Sequence, residues 1–193
     1  MDDSRWEELV EQHYQVVLRA ALTLTGDRWE AADLAQETFL QAIRGGDRFR
    51  GDCCETTWLY SILLNQHRKH CRLRSRAWKR IQRWFETSDQ TGGDRPSASL
   101  EAREWSTSIW RAVGELPAKQ QHVVVLRYAE GLSNSQIADI LACPLGTVKS
   151  RLHHALSALQ QMLSEDGDSF ARHGEPHDGT VEAVRQLLQR TAG

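Results

Sequence analysis

The sequence predicts an all-α protein built as two small helical domains joined by a flexible linker. Three observations carry this. The 193 residues include only four prolines and few β-branched runs. Apolar residues recur at three- and four-residue spacing through most of the chain, which is the period of an amphipathic helix. One stretch, "TSDQTGGDRPSAS", has turn formers and no apolar residue larger than Ala, and it cuts the chain in two. The domain reading is therefore 1–85, a linker at 86–99, a second domain at 100–163 and an acidic tail at 164–193. A chain of this length buries one good core or two small ones.

The elements follow in order. Ser4 with Glu7 makes a capping-box pattern that opens a first helix, running to about Leu24. "TGDR" breaks the period, and Asp27 with Glu30 caps a second helix. Its buried side is read as Ala31, Leu34, Ala35, Phe39, Ala42 and Ile43, and it ends near Gly45-Gly46. After the loop "DRFRGDCCE", a third helix starts near Thr56 or Thr57 with Trp58, Leu59, Ile62 and Leu63 on one side.

The second helical unit begins near Ser99 or Leu100. Pro117 opens a helix that closes at Gly131, a left-handed cap. Ser133 with Gln136 caps the short helix "NSQIADILA", and Pro144 suits the first turn of the next one. In that last helix Leu145, Val148, Leu152, Leu156 and Leu159 form an apolar stripe. Thr147, Lys149, Ser150, Arg151, His153 and His154 lie off it and include no acid. Two short-linked helices, the second one basic, make a helix-turn-helix, with small Ala138 where they cross. Hydroxyls and cations on that exposed face suit phosphates and base edges.

Net charge is −2, but the charges are segregated. Residues 1–40 hold nine acids and three arginines, whereas residues 56–85 hold eight Lys or Arg and no acid. That asymmetry suggests one surface for a protein and another for a polyanion.

Two stretches together carry a more specific signal. "LTGDRWEAADLAQETFLQAI…DRFRGD…TWLYSILLN", followed after the linker by "LPAKQQHVVVLRYAEGLSNSQIADILACPLGTVKSRLHHAL", resembles bacterial sigma factors of the extracytoplasmic-function (ECF) type. The resemblance covers about Leu9 to Arg76 and Leu100 to Leu163. The first block is similar to sigma region 2, which docks on RNA polymerase and opens the promoter. The second is similar to sigma region 4, which reads the minus-thirty-five element. What this implies is a transcription initiation factor that binds core RNA polymerase, directs it to promoter DNA and helps melt the minus-ten region. It also implies an anti-sigma partner that the residues do not identify, no catalysis and no cofactor.

Residue by residue, the resemblance implies that Asp33, Gln36 and Glu37, beside Leu34, bind the clamp helices of the polymerase's largest subunit. Phe49, Arg50 and Asn65 fall in the segment that captures a flipped minus-ten base. Arg68, Lys69, Arg72 and Arg74 then follow the phosphates of the opened strand, and Trp58, Tyr60 and Trp78 offer stacking surfaces. The spacing of Trp58 with Leu59, Ile62 and Leu63 favours a core position for it instead. In the second block Lys149, Ser150, His153 and His154 match recognition-helix positions, and Thr147 and Arg151 the phosphate-facing ones. Asn134 and Ser135 stand at a helix start, where N–H groups hold a phosphate.

Other chemistries are poorly served. "HRKHC" brings His67, His70 and Cys71 close in sequence, but without the four ligands of structural zinc, so no metal is expected. The cysteines at 53, 54, 71 and 143 form no C-x-x-C pair, and Cys53-Cys54 reads as two small packing residues. No nucleophile has a placed base, and no glycine loop cradles a phosphate. A conventional DNA-binding regulator is the rival reading; it would carry a ligand or receiver domain in place of the first block. The acidic start "MDDSRWEELV" is unlike a signal peptide, and no apolar run suits membrane insertion, so a cytoplasmic location is expected.

Overall fold

The computed structural model describes residues 3–46, 49, 51, 53–85 and 109–165, with side chains described for 5–46, 49, 51, 53–74 and 109–163. The linker at 86–99, the start of the second unit at Ser99 or Leu100 and nearly all of the tail lie outside the described residues. Among the described residues the regular structure is helical. α1 spans Asp3–Thr25, α2 Arg28–Arg44 and α3 Glu55–Phe85. α4 covers 109–115, α5 Ala118–Val124, α6 Asn134–Ile140 and α7 Leu145–Glu165. None of these helices is long and apolar enough to cross a membrane.

The predicted caps explain most boundaries. α1 begins one residue before Ser4, so Ser4 sits inside the first turn rather than capping it. Asp27 caps α2 as expected, its carboxylate accepting from the N–H groups of Trp29 at 2.8 Å and Glu30 at 2.9 Å. Ser133 and Gln136 form the full reciprocal capping box at the start of α6.

The helix opened by Pro117 does close at Gly131, but through a π-helical turn at Val125–Ala129 that the periodicity does not reveal. There the Glu130 N–H reaches the Val125 carbonyl at 3.1 Å. Gly131 takes φ +67° and lets the Leu132 N–H return to the Leu126 carbonyl at 3.0 Å.

The first three helices pack on one another around Val17, Ala21, Leu24, Leu34, Phe39, Leu59 and Leu63, all buried. α5 and α6 both pack on α7 around Val124, Leu126, Ile137, Val148, Leu152 and Leu159. Each fully buried Leu or Val contributes roughly 1.5–3 kcal/mol relative to exposure, so these few positions fix both halves. Two residues assigned to the core are not in it: Ile43 and Leu145 are both exposed. Each lies at an end of its helix, where the partner helix no longer covers the stripe.

The two halves also touch. α3 packs against α5 and α6, and α1 against the π turn. The buried apolar residues of both halves form one continuous cluster, and several polar pairs cross beside it. Sequence periodicity shows which face of a helix is apolar but not which distant helix covers it.

Candidate polymerase and nucleic-acid interfaces

On α2, Trp29, Asp33, Gln36, Leu40 and Ile43 follow one another at spacings of four, three, four and three. That places them on one face, and all five are exposed. Trp29 is 80% exposed, an unusual cost for the largest apolar side chain. The expectation for Leu34 is corrected here, since it is fully buried in the core and offers no surface. Glu37 is half-buried and accepts from Gln41 Nε2 at 2.8 Å. Asp33 and Gln36 thus sit within an apolar stripe that sequence reading split between core and surface. The missed signal was Trp29, which falls before the first buried position of its helix.

Around the start of α3, Phe49 packs on Trp58 with ring centroids 4.8 Å apart. With Trp6, Leu9, Arg5 and Glu55 they line a shallow crevice. Arg50 lies outside the described residues, as do the side chains of Trp78 and the other residues from 75 to 85. Asn65 is exposed and accepts a 2.6 Å bond from Arg68. Lys69 and Arg72 are exposed one turn further on. Arg74 is instead paired with Glu30 of α2 at 2.8 Å. Tyr60 is buried, so it offers no stacking surface to a base.

Cys53 and Cys54 are exposed rather than packed. The Cys54 thiol lies 3.0 Å from the Thr57 hydroxyl at the opening of α3. That hydrogen bond, with the amide N–H groups of the first turn, holds its pKa below the usual thiol value.

On α7, Lys149, Ser150, His153 and His154 are exposed, and Thr147 and Arg151 are half-buried. The two imidazoles meet edge to face at 5.8 Å. A groove of about 360 Å³ runs beside them, lined by Lys149, His153, Asn134, Arg127 and Tyr128. Arg127 is anchored to the Leu132 carbonyl at 2.9 Å, which fixes one cationic wall. Asn134 turns its Oδ1 inward, buried and without a hydrogen-bond partner among the described residues. Ser135 is exposed, its hydroxyl 3.0 Å from that of Ser133.

Polar groups cross the seam between the halves. Glu130, at the end of the π turn, receives Tyr60 OH at 2.6 Å and Arg19 Nη2 at 2.9 Å. Its side chain is only 2% exposed. Burial, and next the bond to Glu130, pushes the Tyr60 pKa up. Gln121 Nε2 donates to the Leu24 carbonyl at 2.8 Å, satisfying the C-terminal end of α1.

Beside these, His67 Nδ1 lies 3.0 Å from His122 Nε2, both rings being buried. His67 Nε2 also lies 3.5 Å from the Cys71 thiol, whereas His70 is exposed. The "HRKHC" cluster therefore separates, and no group of three or more potential ligands among the described residues is arranged for a metal ion.

Known proteins place these surfaces in a family. The sigma-70 region 2 family matches residues 9–84, and sigma-70, region 4 matches residues 106–159. The RNA polymerase sigma-H factor of Pseudomonas aeruginosa is 31% identical over 169 residues, covering 84% of this chain and 88% of that one. The ECF RNA polymerase sigma factor SigL of Mycobacterium tuberculosis is 35% identical over 164 residues, covering 82% and 89%.

Among solved structures, the sigma factor RpoE in complex with the anti-sigma factor NepR, from Bartonella quintana, superposes with a TM-score of 0.61. It shares 26% identity over 84% of this chain and 99% of that one. CnrH in complex with the cytosolic domain of CnrY shares the fold at 21% identity and a TM-score of 0.58. Matches to both regions in one chain, with full-length relatives of this kind, assign this protein to the ECF group of the sigma-70 family of RNA polymerase sigma factors.

Proposed function

We propose that this sigma factor divides transcription initiation among three surfaces, acting in the cytoplasm as a non-catalytic subunit. The α2 stripe of Trp29, Asp33, Gln36, Leu40 and Ile43 binds core RNA polymerase, with Glu37 at its edge. Exposed apolar side chains gain by burial in a partner. The carboxylate and amide between them fix register against a cationic helix pair.

The second surface takes the melted minus-ten strand. A flipped base is held by Phe49 at the crevice it shares with Trp58, and Asn65 reads its edge. Lys69, Arg72 and Arg68 follow the phosphates, as single-strand sites combine a stacking platform with cationic groups. Arg50 is part of the same proposed site. Arg74 joins by releasing Glu30, an exposed pair worth about 0–1 kcal/mol.

The third surface is α7. Lys149, Ser150, His153 and His154 read the minus-thirty-five element, and Thr147, Arg151, Asn134 and Ser135 contact phosphates. The observation that carries the reading is the exposed Trp29 stripe beside a helix-turn-helix. A repressor that binds DNA alone has no need of it. The acid-rich α2 side also leaves room for an anti-sigma factor, the partner with which a structural relative was crystallised.

Co-purification with core polymerase in the absence of DNA tests the reading, followed by run-off transcription on a genomic fragment library. Binding to core and promoter-specific transcripts are expected. Promoter binding without any affinity for core would favour the conventional regulator.

A further inference from the structure

Buried polar groups cross the seam between the two halves beside the shared apolar core, and among them two imidazoles share one hydrogen bond. His67 comes from α3 and His122 from α5, 55 residues apart in sequence. A contact at 3.0 Å between two ring nitrogens needs one donor and one acceptor. Two neutral imidazoles supply that when one of the two facing nitrogens carries a proton and the other does not, and Cys71 completes the chain on the far nitrogen of His67 at 3.5 Å. Two protonated rings present N–H to N–H, and the bond is lost.

We propose that the His67–His122 contact is an acid-released latch, which holds the helix-turn-helix half against α1–α3 in a form unable to read both promoter elements. This rests on the two-element reading above. Minus-ten and minus-thirty-five lie about 25 base pairs apart, roughly 85 Å at 3.4 Å per step. The longest helix, α3, has 31 residues, about 46 Å, so two surfaces held together by a bond between α3 and α5 fall short of that distance. The polymerase-binding stripe on α2 stays exposed in the closed form. The latch therefore gates promoter reading and leaves docking on polymerase open.

The surroundings make protonation costly while the seam is closed. His70 and Arg74 of α3 face His67, with Glu30 of α2 reaching Arg74. Arg68 of α3 and Arg151 of α7 face His122. Burial first, then His70 and Arg74, hold His67 down to about 4. Burial first, then His67 itself, then Arg68 and Arg151, hold His122 down to about 3. Freed into solvent, each imidazole titrates near 6.5.

The sign follows by linkage. Folded-form values below the free value mean that the closed form is fully favoured above pH 6.5 and weakens as pH falls toward 4. With both sites counted, closure weakens about tenfold from pH 7.5 to 6 and about a hundredfold by pH 5.5. Arg19–Glu130, Tyr60–Glu130 and Gln121–Leu24 guide reclosure when the pH recovers.

Small-angle X-ray scattering of the full chain from pH 7.5 to 5.5, with circular dichroism alongside, tests the latch. The radius of gyration should rise below pH 6.5 with helix content unchanged, and His67→Gln with His122→Gln should abolish the pH dependence. A chain equally compact at pH 5.5, a double variant that expands over the same range, or expansion with loss of helix would each overturn the proposal. Imidazole titration of the unaltered chain by NMR covers a variant that fails to fold. Protonation of His67 and His122 should accompany expansion, and a protonated pair in a compact chain overturns the latch. Polymerase and DNA are absent from these measurements, so failure in a transcription assay counts against the functional reading alone.

Discussion

Tyr60 of α3 donates its hydroxyl to Glu130 at 2.6 Å, joining the first three helices to the helix-turn-helix half through a buried carboxylate. Hydrogen bonds to charged groups are worth about 1.5–3 kcal/mol, and leaving a buried acceptor short costs the same order. Tyr60→Phe should therefore lower the urea unfolding free energy of the full chain by about 1.5–3 kcal/mol. Glu130→Gln keeps an oxygen for Tyr60 and removes a buried charge, so its loss should stay under about 1 kcal/mol. Equal losses in the two variants would mean that the ion pair to Arg19, not the Tyr60 bond, holds this part of the seam.

The α2 face allows binding and folding to be separated. Trp29→Ala with Asp33→Arg changes only exposed positions and should abolish co-purification with core polymerase while leaving the thermal midpoint within a few degrees. Leu34→Ala sits on the opposite, buried side and should cost about 2–5 kcal/mol of stability through the cavity it leaves. Affinity for core should then fall only as far as the folded fraction falls. Undiminished binding by the Trp29 and Asp33 double variant would remove this face from the polymerase contact.

The cations of α3 should rank by how they are already engaged. Arg72 is exposed, whereas Arg74 is held by Glu30 at 2.8 Å. Arg72→Gln should reduce the salt slope for binding opened promoter DNA by about one unit, alike for all sequences. Arg74→Gln should reduce it by less, because part of that charge is spent on Glu30 before DNA arrives. Filter binding across a salt series reads both slopes. A change of sequence preference at constant slope would assign these residues to bases rather than phosphates.

Much of the fold was legible because caps and apolar stripes are local. Asp27, Ser133, Gly131 and the Leu152, Leu156 and Leu159 stripe each act within one turn of helix, and each stands where the pattern puts it. Burial was legible only where a neighbouring helix covers the whole stripe, which is why Ile43 and Leu145 were misassigned. The seam was illegible for a different reason. Gln121 and Glu130 are residue types found mostly on surfaces, and Tyr60, His67 and His122 are types of intermediate burial; their burial depends on partners 55 to 111 residues away. The recognition face sits between these cases: its helix was readable, but the π turn that positions Arg127 and Glu130 was not.

The turn of the helix-turn-helix carries the last prediction. Its sequence, "LACPLG", has no glycine at the position where the chain reverses between α6 and α7. Ala142 occupies that position with φ +46°, among the described residues the only non-glycine at positive φ. The backbone there is held by Ala142 N–H to the Asp139 carbonyl at 3.2 Å and Cys143 N–H to the Ala138 carbonyl at 3.0 Å. A Cβ in the left-handed region costs roughly 1–2 kcal/mol, and glycine removes that cost while widening the unfolded ensemble by up to about 1 kcal/mol. Ala142→Gly should therefore be neutral to stabilising by up to about 1 kcal/mol, whereas Ala138→Gly, inside α6, should destabilise by roughly 0.5–1 kcal/mol. Thermal unfolding of the two single variants decides this. Destabilisation by Ala142→Gly larger than that of Ala138→Gly would show that the Ala142 methyl holds the turn by packing, and that its backbone conformation is not under strain.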